Sequence, residues 1–93
     1  MNEKHIEQKF RTEVKKRSGL AIKFISPGFD GVPDRIVLMP GGRIAFVELK
    51  APGKKMSPKQ IKRKRQLEEL GFSIYIIDSI DKIGGVLDEI CAT

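Results

Sequence analysis

The 93 residues suit one domain and are too few for a second one. Lysine and arginine number 18 against 12 aspartate and glutamate, and they are spread along the chain, which favours a polyanionic partner such as nucleic acid. The sequence contains no membrane-span-length apolar run, no apolar core of a signal peptide and only one cysteine, Cys91, so we expect a cytoplasmic domain without a disulfide or a cysteine-based zinc site.

An amphipathic helix is predicted over residues 2–18, with Gly19 as its stop signal. The apolar residues that recur every four positions on its buried face are Ile6, Phe10 and Val14. Glu3 and Glu7 fall on or beside this face, not on the solvated side. Glu3 is explained as a first-turn acid that the helix dipole favours, whereas Glu7 lies deeper in the helix. The cations on the remaining faces, usable for phosphate contacts, are Lys4, Lys9, Arg11, Lys15 and Lys16.

Three β-strands are predicted to follow this helix. The first, residues 20–26, alternates poorly, which is typical of a strand covered on both faces. The next two, residues 31–38 and 43–50, are apolar runs on either side of Pro40-Gly41-Gly42, and this pattern predicts a β-hairpin.

The hairpin loop must have an odd number of residues if Asp34 and Glu48 share a site. A plain two-residue Gly41-Gly42 turn would pair Asp34 with Leu49 and turn the two carboxylates to opposite faces. We therefore predict a three-residue loop such as Pro40-Gly41-Gly42, or a β-bulge, with Asp34 opposite Glu48. The apolar residues expected on the same face are Ile36, Leu38, Ile44 and Phe46.

A second helix, a fourth strand and a third helix complete the predicted order αβββαβα. Ser57 is a typical N-cap and Pro58 favours the first turn of a helix that runs to about Leu70. The apolar contacts of this helix are assigned to Ile61, Leu67 and Leu70. Residues 72–77 are predicted to form a strand parallel to the third, reached by a helical crossover, and the first three strands should be antiparallel.

The far end of the hairpin carries a candidate metal site. Asp34 and Glu48 are brought together there, and Lys50 shares a face with Glu48 because residues two apart in a strand point the same way. Two carboxylates and an ammonium group on an apolar hairpin are costly to desolvate unless something compensates them. A hard divalent cation, Mg²⁺ or Mn²⁺, would do so. The alternative is an ion pair of Lys50 with Asp34 or Glu48 at a sheet edge.

These residues also carry a family resemblance. Pro33-Asp34, thirteen intervening residues and then Glu48-Leu49-Lys50 resemble the PD-(D/E)xK nuclease signature. The flanking sequences Gly31-Val32-Pro33-Asp34-Arg35, Phe46-Val47-Glu48-Leu49-Lys50-Ala51-Pro52 and Ser57-Pro58-Lys59-Gln60 are similar to the stand-alone form of the VRR-NUC branch. The resemblance covers nearly the whole chain. It implies one nuclease domain over residues 1–93, of class α/β, with a restriction-endonuclease-like mixed β-sheet flanked by helices.

The resemblance also assigns roles within the predicted site. The metal ligands that it implies are Glu7, Asp34, Glu48 and the main-chain carbonyl of Leu49. Lys50 is expected to position or help deprotonate the attacking water and to neutralise charge on the phosphorane. Gln60 is expected to steer water, Lys50 or phosphate, with a solvated helix residue as the alternative.

The predicted nucleic-acid-binding residues are Lys54, Lys55, Lys59, Lys62 and Arg63, beside this site. A run of charge on a helix is often only a solvated face, so this alternative stays open.

The sequence is compatible with three functions. The first is a metal-dependent DNA endonuclease that acts on branched DNA, with four-way (Holliday) junction resolution by a homodimer as the most concrete version and a simple nicking endonuclease as a variant. The second is a non-catalytic DNA-binding domain that retains the nuclease fold, and the third is a structural or interaction module. We favour the first, in a bacterial or phage-infected cell, and expect the dimer surface at the last strand and the helix after it.

Overall fold

The computed structural model describes residues 2–92 and has the predicted element order, with one 3-10 helix (Ile80–Lys82) added before the last helix. The helices are α1 (Glu3–Lys16), α2 (Pro58–Glu69) and α3 (Ile83–Ala92). The strands are β1 (Leu20–Lys23), β2 (Arg35–Met39), β3 (Arg43–Leu49) and β4 (Ile74–Ile77). Within residues 2–92, no helix combines the length and apolarity needed to cross a membrane.

The four strands form one mixed sheet in the order β1-β2-β3-β4. β1 and β3 each pair antiparallel with β2, and β4 lies parallel to β3. α2 forms the crossover that a parallel pair requires. This topology confirms the α/β prediction.

The hairpin loop spans residues 40–42, because Met39 pairs with Arg43. Both glycines in the loop have positive φ, 85° and 75°, a backbone conformation that glycine adopts without steric cost. The loop is therefore odd, as predicted. One residue beyond the last β2–β3 pair, the same register sets Asp34 opposite Glu48, on the same face of the sheet.

α1 and α3 cover the other face and form the hydrophobic core with it. Ile6, Phe10 and Val14 of α1 are fully buried, as their spacing predicts. The other members of this core are Val37, Met39, Ala45, Val47, Leu49, Ile77, Ile83, Leu87 and Ile90. Cys91 packs against the core.

The end of α1 differs from the prediction in its mechanism. Ser18, not Gly19, takes the left-handed backbone conformation, with φ of 64°. Gly19 is required for space, because a Cβ there would lie 2.2 Å from Met39 Sδ and 2.8 Å from the Leu38 carbonyl oxygen. Its missing side chain lets α1 turn closely onto the sheet.

α2 lies on the face that carries Asp34 and Glu48, and it covers only part of that face. No residue of α2 is fully buried, and Leu70, beyond its last turn, is 73% exposed. The predicted apolar contacts of this helix therefore contribute little burial. Polar contacts of Gln60 and Arg63 hold α2 in place instead.

The remainder of this face is apolar and open to solvent. Leu20, Ile22 and Ile44 are 62%, 46% and 49% exposed. The strand register puts them on the same side as Ile36 and Leu38. We call these five residues the open sheet face. The prediction that the first strand is covered on both faces is therefore wrong, because β1 is an edge strand and α2 does not reach it.

The surface predicted for dimerisation is also largely occupied. The apolar residues Ile83, Leu87 and Ile90 of α3 point into the core, and Ile74 and Ile77 of β4 are buried as well. The apolar residues Ile83, Leu87 and Ile90 of α3 are therefore not available to a partner.

Candidate active site

Among residues 2–92, Glu48 is the only acidic residue that is buried, and it lies near the end of β3. It is 1% exposed. Its Oε2 accepts a hydrogen bond from Gln60 Nε2 at 2.8 Å and lies 3.2 Å from Lys50 Nζ. Its Oε1 is buried and has no hydrogen-bond partner in the described part of the chain. One oxygen of a buried carboxylate is therefore held in place while the other is left without compensation.

The electrostatics of Glu48 agree with this arrangement. Burial raises the pKa of its carboxyl group above the usual range, and the negative charge of Asp34 raises it further, while Lys50 opposes the shift. The nearby ammonium group thus compensates Glu48 only in part. The site fits an additional positive charge beside the two carboxylates.

Asp34 is partly buried on the same face, immediately before β2. Its Oδ2 accepts a hydrogen bond from the Leu49 main-chain N–H at 2.9 Å. This contact continues the β2–β3 pairing through a side chain and fixes the carboxylate beside Glu48. The predicted pairing of Asp34 with Glu48 is thus present, and Lys50 lies beside Glu48.

Gln60 connects α2 to the site. Its Nε2 donates to Glu48, and its Oε1 accepts from the Ser57 main-chain N–H at 2.9 Å. The Ser57 hydroxyl accepts from the Gln60 N–H, which completes a capping box. The same side chain therefore caps α2 and orients the buried carboxylate, so the alternative of a solvated helix residue does not describe it.

Gly31 allows α2 to approach this closely. It has a φ of 88°, and a Cβ there would lie 2.8 Å from both the carbonyl carbon and the carbonyl oxygen of Lys59. Arg63 adds a hydrogen bond from its Nε to the Asp30 carbonyl at 2.7 Å, and its guanidinium lies 3.8 Å from the centre of the Phe29 ring. The loop before β2 is thereby joined to the first two turns of α2.

Glu7 lies on the opposite side of the sheet from Glu48. Its Oε1 accepts a hydrogen bond from Arg35 Nη2 at 2.5 Å, and Arg35 Nη1 donates to the Ala21 carbonyl at 3.1 Å. The role of Arg35 was not predicted, although a charged residue that alternates with buried Val37 along β2 requires a partner. That alternation was the signal for this ion pair.

The donor set determines how well a metal ion would fit. Within residues 2–92, no group of three or more histidine, cysteine, aspartate or glutamate side chains is gathered around one point. Asp34 and Glu48 supply two hard oxygen donors, which suit Mg²⁺ or Mn²⁺ because these ions retain several waters. The unpartnered Oε1 of Glu48 is the observation that favours such an ion. The Leu49 carbonyl stays a prediction as a further ligand, whereas Glu7, which Arg35 holds on the opposite side of the sheet, is not gathered with Asp34 and Glu48.

The predicted nucleic-acid-binding residues divide into two groups. Lys59 forms an ion pair with Asp30 at 3.2 Å, and Arg63 contacts Asp30 and Phe29, so these two cations have structural partners. Lys54, Lys55 and Lys62 are exposed, and the described residues provide them with no ion-pair partner. The second group is available to an external phosphate.

The domain is of class α/β, with a mixed sheet and helices on both of its faces. Two carboxylates and a lysine meet where β2 begins and β3 ends, and they define a candidate phosphodiester-cleaving centre. The VRR-NUC domain model matches residues 1–80, and the chain belongs to this family.

Two comparisons add to this assignment. The chain is 47% identical over 81 residues to "Putative nuclease p44" of Acyrthosiphon pisum secondary endosymbiont phage 1. The matched region covers 87% of each protein. A solved structure described as a VRR_NUC domain is similar with a TM-score of 0.86 and 24% identity, over 92% of this chain and 94% of that one. The structural comparison supports the fold, and the family model supports the family.

Proposed function

We propose that this domain is a metal-dependent DNA endonuclease that hydrolyses phosphodiester bonds. The observation that carries the proposal is the buried Glu48, with one oxygen unpartnered, beside Asp34 and Lys50 in a VRR-NUC domain. The nuclease name of the phage relative agrees with it. The basic excess of the chain suits a polyanionic substrate.

Asp34 and Glu48 would hold Mg²⁺ or Mn²⁺, with the Leu49 carbonyl as an additional proposed ligand. When bound, such a cation polarises a nonbridging phosphate oxygen and lowers the pKa of a coordinated water. Water attacks phosphorus, the bond to the leaving oxygen breaks, and that oxygen gains a proton.

Lys50 has the position to assist this reaction. Its Nζ lies 3.2 Å from Glu48 and its side chain is only 16% exposed, so the ammonium group is confined beside the carboxylates. A confined cation can donate a hydrogen bond to the attacking water or to a phosphate oxygen as negative charge develops. Gln60 acts through Glu48, because its amide fixes the carboxylate that would bind the metal ion. It is a positioning residue in this scheme.

The decisive experiment is a plasmid-nicking assay with Mg²⁺, with Mn²⁺ and with a chelator. We expect cleavage only with a metal ion, and a loss of at least about a hundredfold in Glu48→Gln, Asp34→Asn and Lys50→Ala. DNA affinity should change little, because phosphate contacts come from lysine and arginine residues outside the site. Glu89→Gln, an exposed acid on α3, serves as the matched control.

A non-catalytic DNA-binding domain is the second candidate, since the basic surface alone would serve it. It predicts DNA binding that is independent of divalent metal ions, with no cleavage of plasmid under any condition tested. The two candidates therefore differ in one assay, and cleavage that disappears in Glu48→Gln would exclude the second.

We further propose that the substrate is branched DNA and that two copies act together. One site cuts one strand, so resolution of a four-way junction needs two sites in opposed orientations, which a two-fold dimer provides. The open sheet face is uncharged and apolar, so it suits a second copy better than it suits DNA. Paired cuts in a four-way junction, compared with duplex, flap and splayed substrates, would test this version.

A further inference from the structure

A groove of about 640 Å³ lies between α1 and β1, away from the site described above. Its walls include Arg11 and Lys15 of α1, together with the polar side chains of Gln8 and Thr12. The β1 side is formed by Gly19, Leu20 and Ala21. No carboxylate lines the groove, so it presents positive charge and hydrogen-bonding groups to whatever enters.

The cations of α1 are not equivalent. Lys9 and Lys16 both lie close to Glu13, at 3.6 Å and 3.1 Å, and Lys16 is the main cause of the lowered pKa of Glu13. Arg11 and Lys15 are exposed, and neither has an ion-pair partner among residues 2–92. Of the five lysine and arginine residues of α1, Lys9 and Lys16 therefore share one carboxylate, whereas Lys4, Arg11 and Lys15 have no ion-pair partner among residues 2–92. Of these three, Arg11 and Lys15 line the groove.

The spacing of this pair suits a phosphodiester backbone. Four residues of α-helix rise about 6 Å, which separates Arg11 and Lys15 along the helix axis. Successive phosphates of one DNA strand rise about 3.4 Å along the duplex axis and are also displaced around it, so the distance between neighbouring phosphates exceeds this rise and is comparable with the separation of the two cations. A small anion would use one of these positions, whereas a nucleic-acid backbone would use both.

The groove and the site lie on different sides of the sheet. Glu48 is tied to α2, whereas the groove lies beside α1, which covers the opposite face next to the edge strand β1. A DNA strand that lies along α2 in the site would have to pass around the β1 edge to enter the groove.

We infer that the α1–β1 groove binds the phosphate backbone of a second DNA segment, distinct from the strand that is cut. The identity of the ligand as DNA rests on the proposed function. A linear duplex would occupy the site alone, whereas a branched DNA would place a second arm in the groove. This provides a structural basis for selecting branched substrates.

The test compares Arg11→Ala/Lys15→Ala with the matched double variant Lys9→Ala/Lys16→Ala, which removes the same charge from the same helix. Binding to a four-way junction and to a linear duplex is measured against salt concentration in Ca²⁺, which replaces the catalytic ion. For the groove variant on the junction, we expect about a tenfold loss of affinity and a decrease of about 1.8 in the slope of log K against log salt. The affinity for the duplex should change less than about twofold.

Equal losses on junction and duplex would overturn the inference, because the groove would then belong to the footprint of one duplex. A loss no larger than in the Lys9/Lys16 variant would also overturn it. Failure of the proposed function is seen separately, as absence of metal-dependent cleavage by the wild-type protein. All four substituted side chains are exposed. Circular dichroism and thermal unfolding would verify that both variants are folded.

Discussion

Glu48 carries a carboxylate in surroundings that disfavour its negative charge. Desolvation and the charge of Asp34 raise its pKa, so the folded protein holds the proton of this group more tightly than the unfolded chain does. Without a metal ion, ionised Glu48 therefore lowers the stability of the fold. This residue links pH, stability and metal binding.

The first prediction follows from that linkage. As pH rises from the ordinary glutamate pKa of about 4.3 through the raised pKa of folded Glu48, the folded state retains more protons and the free energy of unfolding should fall. Glu48→Gln has no charge to gain in this window and should lack that part of the pH dependence. Urea unfolding of both proteins in a chelator would measure it, and parallel pH curves would contradict the assignment of the shift.

The second prediction concerns the metal ion itself. A cation that binds the folded protein at a hundredfold excess over its Kd should add about 2.7 kcal/mol to the free energy of unfolding. Mg²⁺ or Mn²⁺ should therefore raise the Tm of the wild-type protein but not that of Glu48→Gln. Asp78→Asn removes an acid from the Asp78–Lys82 ion pair, outside the site, and should keep the response. An identical response in all three proteins would place the bound cation elsewhere.

At the level of elements, the least buried helix carries one of the contacts on which the site depends. α2 has no fully buried residue, yet Gln60 in its first turn orients Glu48. The absence of a side chain at Gly31 allows the first turn of α2 to lie this close. A small displacement of this helix would thus affect the site before it affected the core.

The third prediction tests this dependence with two glycines. Gly31→Ala and Gly28→Ala both place a side chain at positive φ, 88° and 77°, so both carry the cost of that conformation, about 1 kcal/mol. Only Gly31→Ala also sets a Cβ 2.8 Å from the main chain of Lys59, whereas nothing lies within 4 Å of the Gly28 position. We expect Gly31→Ala to lose most of its cleavage activity and Gly28→Ala to keep it. Equal activities would mean that the approach of α2 is not limiting.

Much of the element pattern could be predicted from the sequence because it follows from local rules. The four-residue spacing of Ile6, Phe10 and Val14 identified the buried face of α1. The odd length of the hairpin loop followed from the requirement that Asp34 and Glu48 share one site. The partner of Gln60 could not be predicted, since it depends on how α2 approaches the sheet after the eight residues that separate it from β3. The open side of β1 was missed for a related reason, because strand composition does not reveal whether a helix elsewhere in the chain covers it.

At the scale of the whole molecule, the two faces of the sheet differ. One face is covered by α1 and α3, and the other carries the site, α2 and the open sheet face. Exposed apolar side chains on adjacent strands lose unfavourable contact with water when a second copy covers them. The proposed dimer would therefore form on the side of the sheet that holds the site.

The fourth prediction tests that surface. Ile44→Glu places a charge within the open sheet face, and since Ile44 is already half exposed the monomer should remain folded. We expect sedimentation to show a dimer for the wild-type protein at micromolar concentration and a monomer for Ile44→Glu. Leu70→Glu adds the same charge at an exposed apolar residue outside this face and should stay dimeric. A wild-type monomer that nicks single strands without paired cuts would leave a simple nicking endonuclease.

The capping box at Ser57 has a consequence for the motions of the protein. The Ser57 amide proton is bound by the same Gln60 side chain that holds Glu48, so its exchange with solvent deuterium reports whether that side chain is in place. The first turn of a helix with no fully buried residue opens at low free energy, and each opening releases the carboxylate. A ligand that requires Glu48 in its fixed orientation would slow exchange at this single amide while core amides on α1 stayed unchanged. Local unfolding of one helical turn would then set how often the site is assembled.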